Sequence, residues 1–335
     1  NTAQTTDPSL VNAWGISYAP TGPFWVSDNG TGVTTLYSAD PVSNATTKLG
    51  LTVSIPGNGT ITGQTFNAGS GGGAFNGDPF VFVSEDGTIS GWRGALGTSA
   101  EVLQPGSDTN VYKGTTTAIV SGHSYLYSAN FRTGAVDIQK GDGGAPDLAG
   151  NFQDPSIPSG YAPFNIQNLN GTLYVTYAQQ DADKHDEIAG AGLGFVDAYD
   201  TSGNFLGRVA SNGSLNAPWG LALAPEAFGS IAGDLLVGNF GDGMINIFDL
   251  SSDTFVGMLT ARDGNPIVID GLWALITGNG ASAGSQGKLY FSAGPNDESH
   301  GLFGVISPAP EPATIPLLLA GLCGLFLFRR AGVRA

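Results

Sequence analysis

Short apolar runs parted by polar turns set the rhythm of this chain. Between Gly194 and Leu250 the runs cover residues 195–199, 205–209, 219–223, 234–239 and 244–250, with turns at 201–204 and Gly241-Asp242-Gly243 and a loop holding Asn216. They are rich in Val, Ile, Phe and Tyr and are separated by Gly, Asn and Asp at hairpin spacing, which predicts antiparallel strands. No helical apolar period persists through the stretch. Trp219-Gly220-Leu221 has a near-copy at Trp14-Gly15-Ile16, which points to a repeated unit.

The repeat extends over most of the chain. An inner strand entering on an aromatic is expected at Trp14, around Phe66, near 116–119, at Phe164, at Trp219 and at Leu272-Trp273. That recurrence, roughly every 50 residues, lies in the range of propeller blades. Second strands are expected over 24–27, 80–84, 124–128, 172–177, 234–237 and 288–292, and third strands over 33–37, 88–92, 135–139, 194–199, 244–248 and 302–306. Fourth strands show at 51–55, 205–209 and 254–259. Four strands taken six times predict an all-β fold, a six-bladed β-propeller over residues 1–307. A pair of sandwiches is the rival, but one period across the whole region favours one ring. The sixth blade lacks its own outer strand before Ser307-Pro308, and residues 1–6 are expected to lend one. Blades two and three, over 61–154, carry the pattern less clearly.

Composition changes the picture in two ways. Of the 335 residues 41% are apolar, enough for a core, and the 52 glycines are scattered as many tight turns require. Lys and Arg total 12 against 28 Asp and Glu, a net charge of −16. Nucleic acid binding needs a basic patch to displace counterions, so that partner is excluded. Cys323 is the only cysteine, which rules out a disulfide within the chain. The sequence opens at Asn1 with no leader-like segment, which we read as a signal peptide already removed.

The C-terminal stretch, 308–335, is of another kind. Pro308-Ala309-Pro310-Glu311-Pro312 is a stiff linker, residues 313–328 are apolar, and Arg329-Arg330 and Arg334 follow. Sixteen apolar residues fall short of the ~20 of a typical spanning helix, but a basic end can snorkel to the interface. The expectation is a short transmembrane helix with the propeller outside. A buried core helix is the alternative, and a propeller offers no core to receive it.

This tail resembles a PEP-CTERM sorting signal: Pro310, Glu311 and Pro312, an apolar segment, then the Arg329-Arg330 cluster. The resemblance implies an exosortase-type membrane protease as a processing partner, during export to the envelope of Gram-negative bacteria that make extracellular polysaccharide. The tail would then be an address, transient or lasting. The body resembles an uncharacterised bacterial propeller family whose members often carry such tails. The matching residues are Trp14-Gly15-Ile16, the run from Lys184 to Asp197, Leu215-Asn216-Ala217-Pro218-Trp219-Gly220-Leu221, the run from Leu236 to Gly243, and Gly271-Leu272-Trp273. That family has no established activity, so the resemblance carries fold and address and no catalytic residues.

In a propeller, the turns between second and third strands and those entering the inner strands meet at one mouth of the channel. They gather Asp28, Asn29, Glu85, Asp86, Asn130, Asn239, Asp242, Asn296, Asp297 and His300, with Asn12 and Asn216 just before two inner strands. Convergent carboxylates and amide oxygens are ligands of the kind Ca²⁺ takes. The same Asp-Gly and Asn-Gly pairs are also what tight hairpin turns require. The segment 178–191 is an insertion in blade four where other blades have short turns, and it concentrates Asp181, Asp183, His185, Asp186 and Glu187. It is expected to overhang the mouth and supply a metal or substrate contact, or else to be a solvated acidic loop. No G-x-S-x-G, P-loop, dinucleotide fingerprint, H-E-x-x-H or CxxC is present.

Two functions follow. The first is an exported, envelope- or matrix-targeted module that binds extracellular polysaccharide or protein. The alternative is a calcium-dependent lactone or ester hydrolase with its metal in the channel, drawn from analogy of fold.

Overall fold

The structure is a computed structural model that describes residues 3–58 and 60–308. It contains six antiparallel sheets arranged as the blades of a propeller. Blade one is β1 (Ala13–Ser17), β2 (Phe24–Asp28), β3 (Val33–Ala39) and β4 (Thr46–Ser54). Blade two is β5 (Ile61–Phe66), β6 (Phe80–Ser84), β7 (Ile89–Trp92) and β8 (Glu101–Gln104), and blade three is β9 (Tyr112–Val120), β10 (His123–Asn130) and β11 (Ala135–Lys140). Blade four is β12 (Tyr161–Leu169), β13 (Thr172–Gln180), β15 (Phe195–Tyr199) and β16 (Phe205–Ser211), with the two-residue β14 (Glu187–Ile188) paired to the end of β13. Blade five is β17 (Pro218–Leu223), β18 (Leu235–Asn239), β19 (Ile245–Asp249) and β20 (Thr254–Met258), and blade six is β21 (Leu272–Thr277), β22 (Leu289–Ala293) and β23 (Leu302–Ile306). Each inner strand packs on the inner strand of the next blade, and β1 against β21 completes the circle.

Strands buried on both faces read as continuous apolar runs, as in β6 (FVFVS) and β2 (FWVSD), every residue of which is buried. Outer strands face water on one side and leave Phe205, Leu206, Phe255 and Val256 exposed on β16 and β20.

Three expectations need correction. Phe66 closes the inner strand of blade two and does not open it, because the strand starts at Ile61. Blade two has a fourth strand, the short, partly charged β8, while blade three ends at β11. Residues 4–7 do not complete blade six. They lie along blade one, where the Gln4 carboxamide oxygen accepts from the Thr46 amide (3.0 Å) and Lys48 meets Asp7 at 2.7 Å. The joint between first and last blades is made by other contacts. The Asn12 amide donates to His300 O (3.0 Å), the Ala39 amide to Ser282 O (2.9 Å) and the Gly284 amide to Ala39 O (3.0 Å).

One feature recurs in all six inner strands. The pairing register of first strand to second slips at the same place, between Ala13 and Ile16, Ile61 and Gln64, Tyr112 and Thr115, Pro163 and Asn165, Pro218 and Gly220, and Leu272 and Leu275. A bulge of this kind re-aims a side chain. The residues within these slips include Trp14, Thr62, Lys113, Phe164, Trp219 and Trp273, one from each blade. Glycine follows the first three and Trp219, where the bulged backbone comes up against its neighbour. A Cβ on Gly15 would lie 2.7 Å from Thr62 O, and one on Gly220 would lie 2.8 Å from Trp273 O. The aromatic members fill the axis: Trp14 stacks on Trp273 with centroids 3.5 Å apart, and Trp219 meets Trp273 edge-on at 5.8 Å. Phe240 covers the other side of Trp273 at 4.1 Å.

No helix among the described residues is long and apolar enough to cross a membrane. The tail expected to do so, with Pro310, Glu311, Pro312, Arg329 and Arg330, lies outside the described residues.

Candidate functional site

The aromatic layer divides the axis into two ends. At the end entered by the inner strands, the bulge of β9 presents Lys113, which is fully buried. Its ammonium donates to Glu85 Oε1 at 2.5 Å and to Asp186 Oδ1 at 3.3 Å, and it lies 5.2 Å from the centroid of the Trp14 ring. Glu85 comes from the β6–β7 turn of blade two and Asp186 from the insertion of blade four. Pairing of β14 with the end of β13 folds that insertion back toward the axis. Asn29 of blade one donates to Ile61 O (3.1 Å) and Glu85 Oε2 (3.5 Å), and Asn12 donates to Asn29 Oδ1 (3.3 Å). His185 Nδ1 lies 2.9 Å from Asp186 Oδ1.

Electrostatics bind these groups into one unit. Burial opposes the charge on Lys113, yet Glu85, Glu187 and Asp186 together hold its pKa above the ordinary lysine value. Burial pushes Glu187 up to about 7, against the pull of Lys113. Burial and the charge of Glu85 also raise Glu298, which reaches the group from blade six. Burial works against charge on Asp186 too, but Lys113 and His185 keep it below the usual carboxylate range.

The other expected site residues are held within their own blades. Asn130 accepts from the Val111 amide (3.2 Å) and donates to Asn110 (3.0 Å) and Asp137 (2.9 Å). Asn239 donates to Ser214 O (2.8 Å) and Asp242 (3.1 Å), and Asp242 also accepts from the Met244 amide (3.0 Å), the bond of a tight turn. Asp28 is fully buried, with Oδ2 accepting from Thr35 (2.7 Å) and Oδ1 without a partner among the described residues, and burial drives its pKa well up. Asp181 accepts from the His185 amide (2.8 Å) and shapes the insertion, and Asp183 is exposed on it. Asn29, His185 and Asp186 therefore meet near the axis, together with Glu85, while Asp28, Asn130, Asn239 and Asp242 do not join them.

Glu85, His185 and Asp186 could each offer one ligand atom, all within 4.8 Å of one another. These residues do not fit a divalent ion in this arrangement. The Lys113 ammonium already lies within hydrogen-bond distance of two of the three, and a second cation there would be repelled strongly at short range.

Below the aromatic layer the channel widens into a funnel of about 940 Å³. Blades two to four give it an amide and hydroxyl wall: Gln64, Thr65, Thr116, Thr117, Gln167 and Asn168. Blades five, six and one add hydrocarbon from Leu221, Leu223, Leu275, Ile276 and Ile16, interspersed with Ser17, Thr277 and Asn279. Among the described residues Glu226 is the one acidic lining residue, and no Lys, Arg or His lines the funnel. At its apex a void of about 10 Å³ is bounded by Gln64, Gln167 and Trp219. The indole N–H of Trp219 has no partner among the described residues.

Sequence reading missed Lys113 and the funnel. The signal for Lys113 was present: it precedes Gly114 as Trp14 precedes Gly15 and Trp219 precedes Gly220.

No family model matches the chain. It is 30% identical over 327 residues to uncharacterized protein R648 of Acanthamoeba polyphaga mimivirus, covering 91% of this chain and 77% of that one. It is 33% identical over 316 residues to uncharacterized protein L690 of the same virus, covering 89% and 80%. Among solved structures it resembles an alpha-L-arabinanase of Penicillium chrysogenum complexed with arabinobiose, with TM-score 0.57, 10% identity and 90% and 94% of the two chains covered. A PQQ-bound aldose sugar dehydrogenase of Streptomyces coelicolor gives TM-score 0.52, 15% identity, 88% and 94%. At such identities the likeness is one of fold.

Proposed function

We propose that this chain, which belongs to the family of the mimivirus proteins R648 and L690, is a propeller that binds a ligand and does no metal-assisted hydrolysis. The observation that carries this reading is the Lys113 ammonium, 2.5 Å from Glu85 and 3.3 Å from Asp186. It stands at the centre of the carboxylates that the calcium-hydrolase reading needs for its metal. Lys113 is buried and paired with Glu85 and Asp186 from two other blades, which suits a structural knot that ties blades together.

The same reading takes the tail as an address. Pro310-Glu311-Pro312, the apolar run and Arg329-Arg330 are read as an export signal for an exosortase-type enzyme. The propeller would then act in the envelope or the extracellular matrix, held by the tail transiently or for good. Polysaccharide or protein of that matrix is the proposed partner.

The test is metal analysis and thermal melting of the purified full chain with calcium and with EGTA, beside pull-downs on polysaccharide and envelope protein. Retention of matrix material, with melting indifferent to EGTA and no stoichiometric calcium, is expected. Stoichiometric calcium with a large loss of melting temperature in EGTA would replace this reading by the hydrolase.

A further inference from the structure

We infer that the funnel opposite the lysine knot is the ligand site and that it takes the end of a neutral saccharide chain. This rests on the binding reading above and adds the place and the chemical class.

Shape is the first ground. A cavity of about 940 Å³ that draws on all six blades lies within the range of small-ligand sites. The second ground is its mixed lining. Gln64, Gln167 and Asn168 present amides and Leu221, Leu223 and Ile276 present hydrocarbon to the same cavity. A sugar ring has matching sides, hydroxyls around its edge and an apolar C–H face. The third ground is unmet hydrogen-bonding capacity. Gln167 lines both funnel and apex and makes no side-chain hydrogen bond among the described residues. Beside it at the apex stands Trp219, 3% exposed, with its N–H unpartnered. Buried polar groups are normally satisfied, so a ligand hydroxyl reaching the apex would complete the Trp219 N–H, with the half-buried Gln167 amide free to join it.

Charge sets the class. With Glu226 as its only acidic residue and no cation among the described residues, the lining offers nothing to pair with a carboxylate or sulfate, and the net charge of −16 repels either. Neutral chains are therefore preferred over uronic ones.

The experiment titrates the full chain by calorimetry with neutral gluco-, xylo- and manno-oligosaccharides and with oligogalacturonate, in wild type and in Gln167→Leu. Binding of a neutral oligosaccharide, weakened about tenfold by the loss of one amide, is expected. Amide hydrogen exchange on the wild type locates the ligand with no variant. Protection is expected around Gln167–Asn168 and Leu221–Leu223 and not along 178–190. Tighter binding of oligogalacturonate, protection confined to 178–190, or binding indifferent to Gln167→Leu would overturn the funnel assignment while leaving a binding propeller standing. Retention of envelope protein with no saccharide bound would overturn it in favour of a protein partner. Failure of every pull-down would end the binding reading itself.

Discussion

At one end of the channel Lys113 of β9 is wrapped by carboxylates from blades two, four and six. A few residues further along the same strand, Thr116 and Thr117 face a cavity with no cation at all. The first end is rich in charge, paired around a buried lysine, and borders a smaller cavity of about 670 Å³ that Glu85 and His185 line. The second is almost uncharged, open, and leaves an amide and an indole N–H without partners. Charge density alone would direct attention to the first end. Satisfaction of charge directs it to the second, because groups already paired within the chain have little left to offer a ligand.

The comparison is broken most forcefully at Lys113. Lys113→Met leaves Glu85, Asp186, Glu187 and Glu298 without their buried cation. We expect a loss of about 3–5 kcal/mol in urea unfolding, the usual result of removing one partner of a buried ion pair. Adding Glu85→Gln to that variant should restore part of it. A loss below about 1 kcal/mol would show that the knot is not structural.

A finer test uses pH. The folded-state pKa of Glu187 is raised from 4.5 to about 7, so its contribution to stability is present below pH 4.5 and is lost as pH rises through 7. Glu187→Gln should match wild type at pH 4 and exceed it at pH 8, by something on the order of 2 kcal/mol after allowing for partial exposure. Melting curves at the two pH values read this directly. Parallel curves would mean that Glu187 keeps an ordinary carboxylate pKa.

The smallest expected effect belongs to the funnel. Gln167→Leu should change stability by no more than about 0.5 kcal/mol while weakening ligand, because Gln167 supports no neighbour through its side chain. A drop of 2 kcal/mol or more would make it a structural residue and remove the contrast between the two ends.

The blade pattern was legible wherever strands announce themselves by composition. Residues 80–84 and 302–306 were expected with the bounds that β6 and β23 have. Inner strands were legible only where the axial residue is aromatic. In blades two and three that place is held by Thr62 and Lys113, so the strand pattern shows only further on, at Phe66 and 116–119, past the true starts at Ile61 and Tyr112. The short β8, with Glu101 and Gln104 at its ends, carries too little apolar pattern to be seen.

The site was legible in part for a related reason. Turn acids and amides share one vocabulary whether they close a hairpin or hold a ligand, so Asn239 and Asp242 could not be told from Asn29 and Glu85 without coordinates. Which of them converge depends on where the insertion of blade four folds, and that is set by the pairing of Glu187–Ile188 with Gln179–Gln180. The funnel left no trace in the sequence, because Gln, Thr and Leu at alternate positions of a strand are unremarkable until six strands are set around one axis.

The joint between blades one and six has a consequence of its own. Elsewhere the chain itself runs from one blade into the next, but between β23 and β1 it does not, and the two blades are held by contacts alone. The closing contacts include the backbone bonds of Asn12 and Ala39, the Trp273 indole on Asn12 (3.1 Å), the hydroxyl of Ser292 on Trp14 O, the Asn279 amide on Gly22 O (2.8 Å), and the stacking of Trp14 on Trp273 and Phe24 against Tyr290. Parting the ring there would leave all six sheets whole, whereas at every other boundary the chain itself ties one blade to the next. The joint works as a clasp: side-chain and backbone contacts do there what covalent continuity does elsewhere.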